Sequence, residues 1–184
     1  YANGVGVARD LGRAALAYER ACDGGMADAC NTLGEIHERT AMFDGGLPQI
    51  QGLYGKACEG GSSAGCLNLG LILASRDDKA EAFGLFERSC RGGWAPGCHQ
   101  LALSYEQGEG VTPDVAKAVE AYGQACDLDH VDSCLAAGNL YAAGEAVTRD
   151  AGVALKFYGK ALAVHAAACG AGSDADCTER DRIR

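Results

Sequence analysis

Apolar and polar positions along this chain recur with a helical period, in two alternating kinds of segment. The first kind runs Ala14-Ala15-Leu16-Ala17-Tyr18-Glu19-Arg20-Ala21-Cys22, with an aromatic three residues before a small residue and a small residue four before the aromatic. Its counterparts end Tyr54-Gly55-Lys56-Ala57-Cys58, Phe86-Glu87-Arg88-Ser89-Cys90 and Tyr122-Gly123-Gln124-Ala125-Cys126. The second kind opens on a cysteine: Cys30-Asn31-Thr32-Leu33-Gly34, Cys66-Leu67-Asn68-Leu69-Gly70, Cys98-His99-Gln100-Leu101-Ala102 and Cys134-Leu135-Ala136-Ala137-Gly138. Positions Cys, +3, +4 and +7 of this segment share one helical face. The small residue at +4 predicts a close approach between two helices. Gly24-Gly25, Gly60-Gly61 and Gly92-Gly93 separate the two kinds and suit a helix C-terminus followed by a tight turn.

Each unit therefore reads helix, cysteine, turn, cysteine, helix, and the antiparallel helices bring the two cysteines side by side. The ten cysteines form five pairs eight residues apart, and successive first members lie 36, 32, 36 and 43 residues apart. This is the period of an internal repeat. The predicted units are residues 10–44, 45–75, 76–112, 113–149 and 150–184, within a single repeat domain over 1–184. The short interval lacks four residues at the inter-unit turn, where Ala74-Ser75-Arg76-Asp77-Asp78 leads almost directly into the next helix. In the long interval Leu162 takes the slot of a first cysteine, and Cys169 follows two helical turns later. Seven residues nearly preserve helical phase, so a lengthened last helix is predicted to carry the same cross-link. Charged residues over 178–184 predict a polar end cap. Residues 1–9 repeat the inter-unit turn of Tyr105–Val111 and Tyr141–Val147, which predicts a partial repeat there and more repeat upstream. An opening at Tyr1 without methionine predicts a processed chain or a fragment.

Composition narrows the function classes. A net charge of −9 gives no basic footprint for nucleic acid or a polybasic membrane contact, and no apolar run approaches the length of a membrane helix. Neither nucleic-acid binding nor membrane insertion is expected. Oligomeric state is not legible.

These segments resemble the Sel1-like repeat family, relatives of the tetratricopeptide repeats. The likeness covers essentially the whole chain, with five copies of the aromatic-plus-alanine helix and four of the Leu-Gly-x-x-Tyr type. More narrowly it is similar to the Helicobacter cysteine-rich proteins, whose repeats carry a cysteine pair at this spacing and include one short repeat. His37 and Leu73 depart from the pattern where Tyr105 and Tyr141 stand, as does Leu162. The resemblance implies an all-α fold, a right-handed α/α solenoid of helical hairpins, each cross-linked by one disulfide.

Cysteines at a helix–turn–helix junction can meet the requirement of Cα atoms within about 7 Å. The expected bridges join Cys22 to Cys30, Cys58 to Cys66, Cys90 to Cys98, Cys126 to Cys134 and Cys169 to Cys177. So many bridges point to an oxidising compartment: periplasm, cell exterior or mitochondrial intermembrane space. Metal binding is the rival reading. His130 lies four residues from both Cys126 and Cys134, and His165 four before Cys169, so either could join reduced thiols. A seven-residue gap does not fit zinc spacing, and no metal or other cofactor is expected. Ala95-Pro96-Gly97-Cys98-His99 is similar to a haem attachment motif but lacks its first cysteine. Trp94, the single tryptophan, is expected to pack over the disulfide of its loop.

The resemblance to the cysteine-rich subgroup also implies penicillin binding with weak β-lactamase activity. A serine β-lactamase needs a Ser-x-x-Lys pair, and no serine here has a lysine three residues on. The four histidines are scattered singly, and the disulfide scheme uses every cysteine. No catalytic residue is singled out. A second implication, from a mitochondrial relative, is a redox-compartment assembly factor. The reading preferred here is a non-enzymatic protein- or peptide-binding scaffold. By similarity to tetratricopeptide repeats, the Leu-Gly helices line a concave face, and positions +1, +5 and +8 point into it. At +1 and +5 these are Asn31, Glu35, Leu67, Leu71, His99, Leu103, Leu135 and Asn139, and at +8 Glu38, Ala74, Glu106 and Ala142. The leucines among them either form a groove for a peptide or helix or pack between neighbouring repeats.

Overall fold

A computed structural model describes residues 11–40, 46–144 and 147–170. Among these, all regular structure is α-helical. The chain divides at Gly92/Gly93 into two compact units. The first holds α1 (Leu11–Asp23), α2 (Ala27–Thr40), α3 (Gly46–Glu59), α4 (Ser63–Ser75) and α5 (Lys79–Arg91). The second holds α6 (Ala95–Gln107), α7 (Val115–Asp127), α8 (Val131–Ala143) and α9 (Ala151–Gly170). Within each unit, helices consecutive in sequence pack on one another.

The cysteine loops are built alike. Helix α1 ends with Met26 N–H donating to the Ala21 carbonyl and Gly25 N–H to that of Cys22. The same pair of bonds closes α3, from Ser62 to Ala57 and Gly61 to Cys58, and α7, from His130 to Ala125 and Asp129 to Cys126. This C-terminal motif needs a left-handed residue, supplied by Gly25 (φ 89°) and Gly61 (φ 96°). In the loop after α7, Leu128-Asp129 replaces the glycine pair, and Asp129 itself takes φ 63°. The next helix then starts from a side-chain cap: Ser62 Oγ accepts from Gly65 N–H at 3.3 Å, and His130 Nδ1 from Ser133 N–H at 3.3 Å.

So closed, each loop sets its cysteines together. Cys22–Cys30, Cys58–Cys66 and Cys126–Cys134 are disulfides, with Cα atoms 4.7, 4.4 and 4.7 Å apart. Cys90, Cys98 and Cys169 are disulfide-bonded as well. Cys177, the predicted end cap over 178–184 and the partial repeat over 1–9 lie outside the described residues. The trimmed inter-unit turn is present as Arg76–Asp78 between α4 and α5, turning through Asp77 at φ 69°. Helix α9 runs 20 residues, past Leu162 to Cys169, as the 43-residue interval requires. Trp94 keeps 42% of its surface in solvent.

The small residue at +4 has its reason in the next helix. Tyr54 of α3 lies on Gly34 of α2, Phe86 of α5 on Gly70 of α4, and Tyr158 of α9 on Gly138 of α8. A methyl group on any of the three glycines would fall within 2.6 Å of a ring carbon. Tyr54 and Phe86 are buried by this contact, and Tyr122 is buried in the second unit. Gly70→Ala is therefore expected to destabilise the fold by about 1–3 kcal/mol through overpacking on Phe86. Gly84→Ala, in α5, meets nothing within 4 Å and should stabilise it by about 0.5–1 kcal/mol. Urea midpoints of the two variants should move in opposite directions. Removing one bridge as the Cys126→Ser/Cys134→Ser pair frees a nine-residue loop in the unfolded chain. It should cost about 2–3 kcal/mol, read as a lower urea midpoint with the helical circular dichroism retained.

Candidate functional site

The eight predicted surface positions at +1 and +5 fall into two sets, one in each unit. On α2, Asn31 is buried, its amide donating to Glu35 Oε1 at 2.8 Å while its oxygen accepts from Asn68 Nδ2 of α4 at 2.8 Å. Glu35 is exposed. On α4, Leu67 is buried with 7% of its surface exposed, whereas Leu71, one turn on, exposes 42%. In the second unit, Leu103 of α6 is half-buried, and Leu135 of α8 packs against the Cys126, Cys134 and Ala161 cluster. Asn139 is exposed and accepts from the Tyr158 hydroxyl at 2.8 Å. On α2, α4 and α8 the +5 position is thus more exposed than +1. A helix turns about 100° per residue, so four residues return to nearly the same face but not to the same depth.

His99, the +1 residue of α6, is half-buried and its Nδ1 lies 2.8 Å from the Ser133 hydroxyl of α8. The same hydroxyl is 2.9 Å from His130 Nδ1. The two imidazoles face each other with centroids 4.7 Å apart, and His99 also contacts the Tyr122 ring at 5.5 Å. Burial, followed by the proximity of His130, lowers the His99 pKa, against smaller opposing effects of Asp132 and Glu106. Sequence inspection did not link His99 with His130 or Ser133. They are 31 and 34 positions apart, and only repeat stacking brings them together. His130, considered in sequence as a ligand beside Cys126 and Cys134, caps α8 instead, and both cysteines are spent in a bridge. A serine between two histidines has the elements of a nucleophile and base, but Ser133 exposes none of its surface, so its hydroxyl is out of reach of a substrate. Among the described residues no group of three or more His, Cys, Asp or Glu is placed to hold a metal.

Two tyrosines that lie on the Leu-Gly helices reach carboxylates at position +8. Tyr54 donates to Glu38 Oε2 at 2.9 Å and Tyr122 to Glu106 Oε2 at 2.6 Å. Desolvation raises both phenol pKa values, and the carboxylate hydrogen bonds raise them further. Where position +8 is Ala74, the ring on the preceding glycine is Phe86, which has no hydroxyl to satisfy.

The Sel1 repeat model matches residues 1–26, 64–94, 95–130 and 131–163, more than half of the chain. The chain belongs to the Sel1-repeat family. The later matches begin within one residue of α4, α6 and α8, so the Cys126–Cys134 bridge ties one matched repeat to the next. No curated protein matches it. Among solved structures, Helicobacter pylori cysteine rich protein B is 32% identical, with 72% of this chain and 92% of that one aligned and a TM-score of 0.53. A Sel1 repeat protein from Oxalobacter formigenes is 24% identical over 90% of this chain and 71% of that one, at a TM-score of 0.79. The protein c5321, a protective antigen of uropathogenic Escherichia coli strains, is 27% identical at a TM-score of 0.81; 90% of this chain aligns with 36% of that one. The fold of this Sel1 protein is accordingly the all-α repeat solenoid of its relatives.

Raised phenol pKa values at Tyr54 and Tyr122 make this chain alkali-sensitive. The native state retains protons on Tyr54 and Tyr122 that the unfolded chain releases near pH 10, so stability falls as pH rises through and above that value. Spectrophotometric titration at 295 nm should show Tyr54 and Tyr122 ionising only with unfolding. The Tyr54→Phe/Tyr122→Phe variant should lose that late step.

Proposed function

We propose that this Sel1-repeat chain is a non-enzymatic scaffold that binds a protein or peptide on the surface of its Leu-Gly helices, in the periplasm or outside the cell. The carrying observation is the 42% exposure of Leu71 in the middle of α4, on a helix whose Leu67, Ile72 and Leu73 are buried. An apolar side chain held in water beside the exposed Glu35-bearing helix offers burial to a partner, worth about 25 cal/mol per Å² of apolar area removed from solvent. The polar neighbours Glu35 and Asn68 would set register. In the second unit the corresponding contacts are Leu103 and Asn139. Disulfide-closed hairpins hold such a surface in one shape, which lowers the entropy lost when a partner docks.

The described disulfides support the compartment, because bridges of this kind form and persist where thiols are oxidised. The similarity to Helicobacter pylori cysteine rich protein B is consistent with it. Affinity capture from that compartment, followed by mass spectrometry, tests the proposal. The native chain should retain a partner that Leu71→Asp does not, with unchanged helical circular dichroism. Equal retention by both would remove Leu71 from the surface, and parallel loss of helicity and capture would place it in the core.

A further inference from the structure

Glu35 is an exposed carboxylate that the fold holds in place. Its Oε1 accepts from the Asn31 amide at 2.8 Å, and Asn31 Oδ1 accepts in turn from Asn68 Nδ2 at 2.8 Å. A carboxylate only accepts, so it faces the Asn31 nitrogen, and turning either amide over would set two oxygens against each other. The chain of bonds therefore runs one way, from Asn68 of α4 through Asn31 to Glu35 of α2. Asn31, with 6% of its surface exposed, anchors it from beneath.

Helices α2 and α4 are equivalent members of successive repeats, run in the same direction and touch. One turn beyond Asn31 stands Glu35, and one turn beyond Asn68 stands Leu71, which exposes 42% of its surface. A positioned anion and an exposed leucine thus adjoin on neighbouring helices. Glu38, a further turn along α2, is exposed and accepts from Tyr54 through Oε2. The cations nearest in sequence do not neutralise this surface. Arg76 bonds Gln51 Oε1 of α3, and Arg39 is exposed and makes no ion pair with Glu35 among the described residues. In the second unit the matching +5 positions, Leu103 and Asn139, carry no charge.

We propose that the surface of Glu35 and Leu71 selects a cationic apolar segment: an extended stretch of protein or peptide that sets an arginine or lysine on Glu35 and an apolar side chain on Leu71. The inference rests on the binding reading above and adds to it the charge of the partner. Axes of packed helices lie about 8–10 Å apart, a span that roughly three residues of extended chain cover at ~3.3 Å each. The bond from Asn31 orders the carboxylate before a partner arrives, so less side-chain freedom is lost on pairing. The net charge of −9 steers the same kind of partner toward the chain.

Two capped, threonine-rich peptides test the proposal. One carries a leucine with an arginine three residues away on each side, and the other has glutamate at both arginine places. Flanking on both sides makes the result independent of chain direction. With the native oxidised chain at low salt, the arginine peptide should shift the Leu71 methyl and Asn68 side-chain amide resonances. It should bind about tenfold more tightly than the glutamate peptide. Glu35→Gln keeps the oxygen that accepts from Asn31 and removes the charge. It should weaken the arginine peptide about three- to tenfold with unchanged helical circular dichroism. Equal binding of both peptides at Leu71 would overturn the cation assignment and leave the binding reading standing. Arginine-peptide binding that Glu35→Gln does not weaken would overturn it too. Binding of neither peptide also overturns it, and partner capture by the native chain against Leu71→Asp then decides the binding reading separately.

Discussion

An aromatic ring seated against a glycine of the preceding helix is the contact on which three of the helix pairs depend. It lets two backbones approach where any Cβ would collide with a ring carbon, as Gly34, Gly70 and Gly138 show with Tyr54, Phe86 and Tyr158. Close approach buries the ring and carries its para position toward the far end of the Leu-Gly helix. Tyr54 and Tyr122 therefore need an acceptor there and find Glu38 and Glu106. Tyr158 finds Asn139 instead. Glycine, ring and acceptor are thus linked in α2 and α3, whereas Phe86 on Gly70 needs no acceptor and Ala102 holds the glycine's place before Tyr122.

The cysteine loops supply the complementary constraint. Their backbone motif turns the chain, a side-chain cap starts the next helix at Ser62 and His130, and the bridge makes the turn covalent. In a fold rich in Ala and Gly, where burial per residue is modest, closing each loop removes unfolded-state freedom that packing alone would have to overcome. The loop after α7 departs from the others in having Leu128-Asp129 for the glycine pair, and His130 caps the helix that follows. His130 is also a ring that His99 meets.

A repeat solenoid does not specify its ligand, because its architecture is carried by buried positions and its chemistry by exposed ones. Family membership makes this chain a Sel1-repeat scaffold. It does not say which of the exposed residues, such as Glu35, Leu71 and Asn139, meet a partner.

Much of this was already legible in the order of residues. Period, helix and turn order, the trimmed turn at Arg76–Asp78, the extended α9 and the pairing partners of most cysteines follow from local spacing, because a helix maps sequence separation onto faces and a hairpin maps it onto distance. The small +4 residue signalled a close helix approach for the same reason. Tertiary structure decided how deeply each position sits: Leu67 and Leu71 are identical in type and one turn apart, yet one is core and the other surface. It alone joined His99 to Ser133 and His130, and Asn31 to Asn68. Such meetings depend on the rotation and translation of one helix against another, which side-chain packing sets and no spacing within a single helix records.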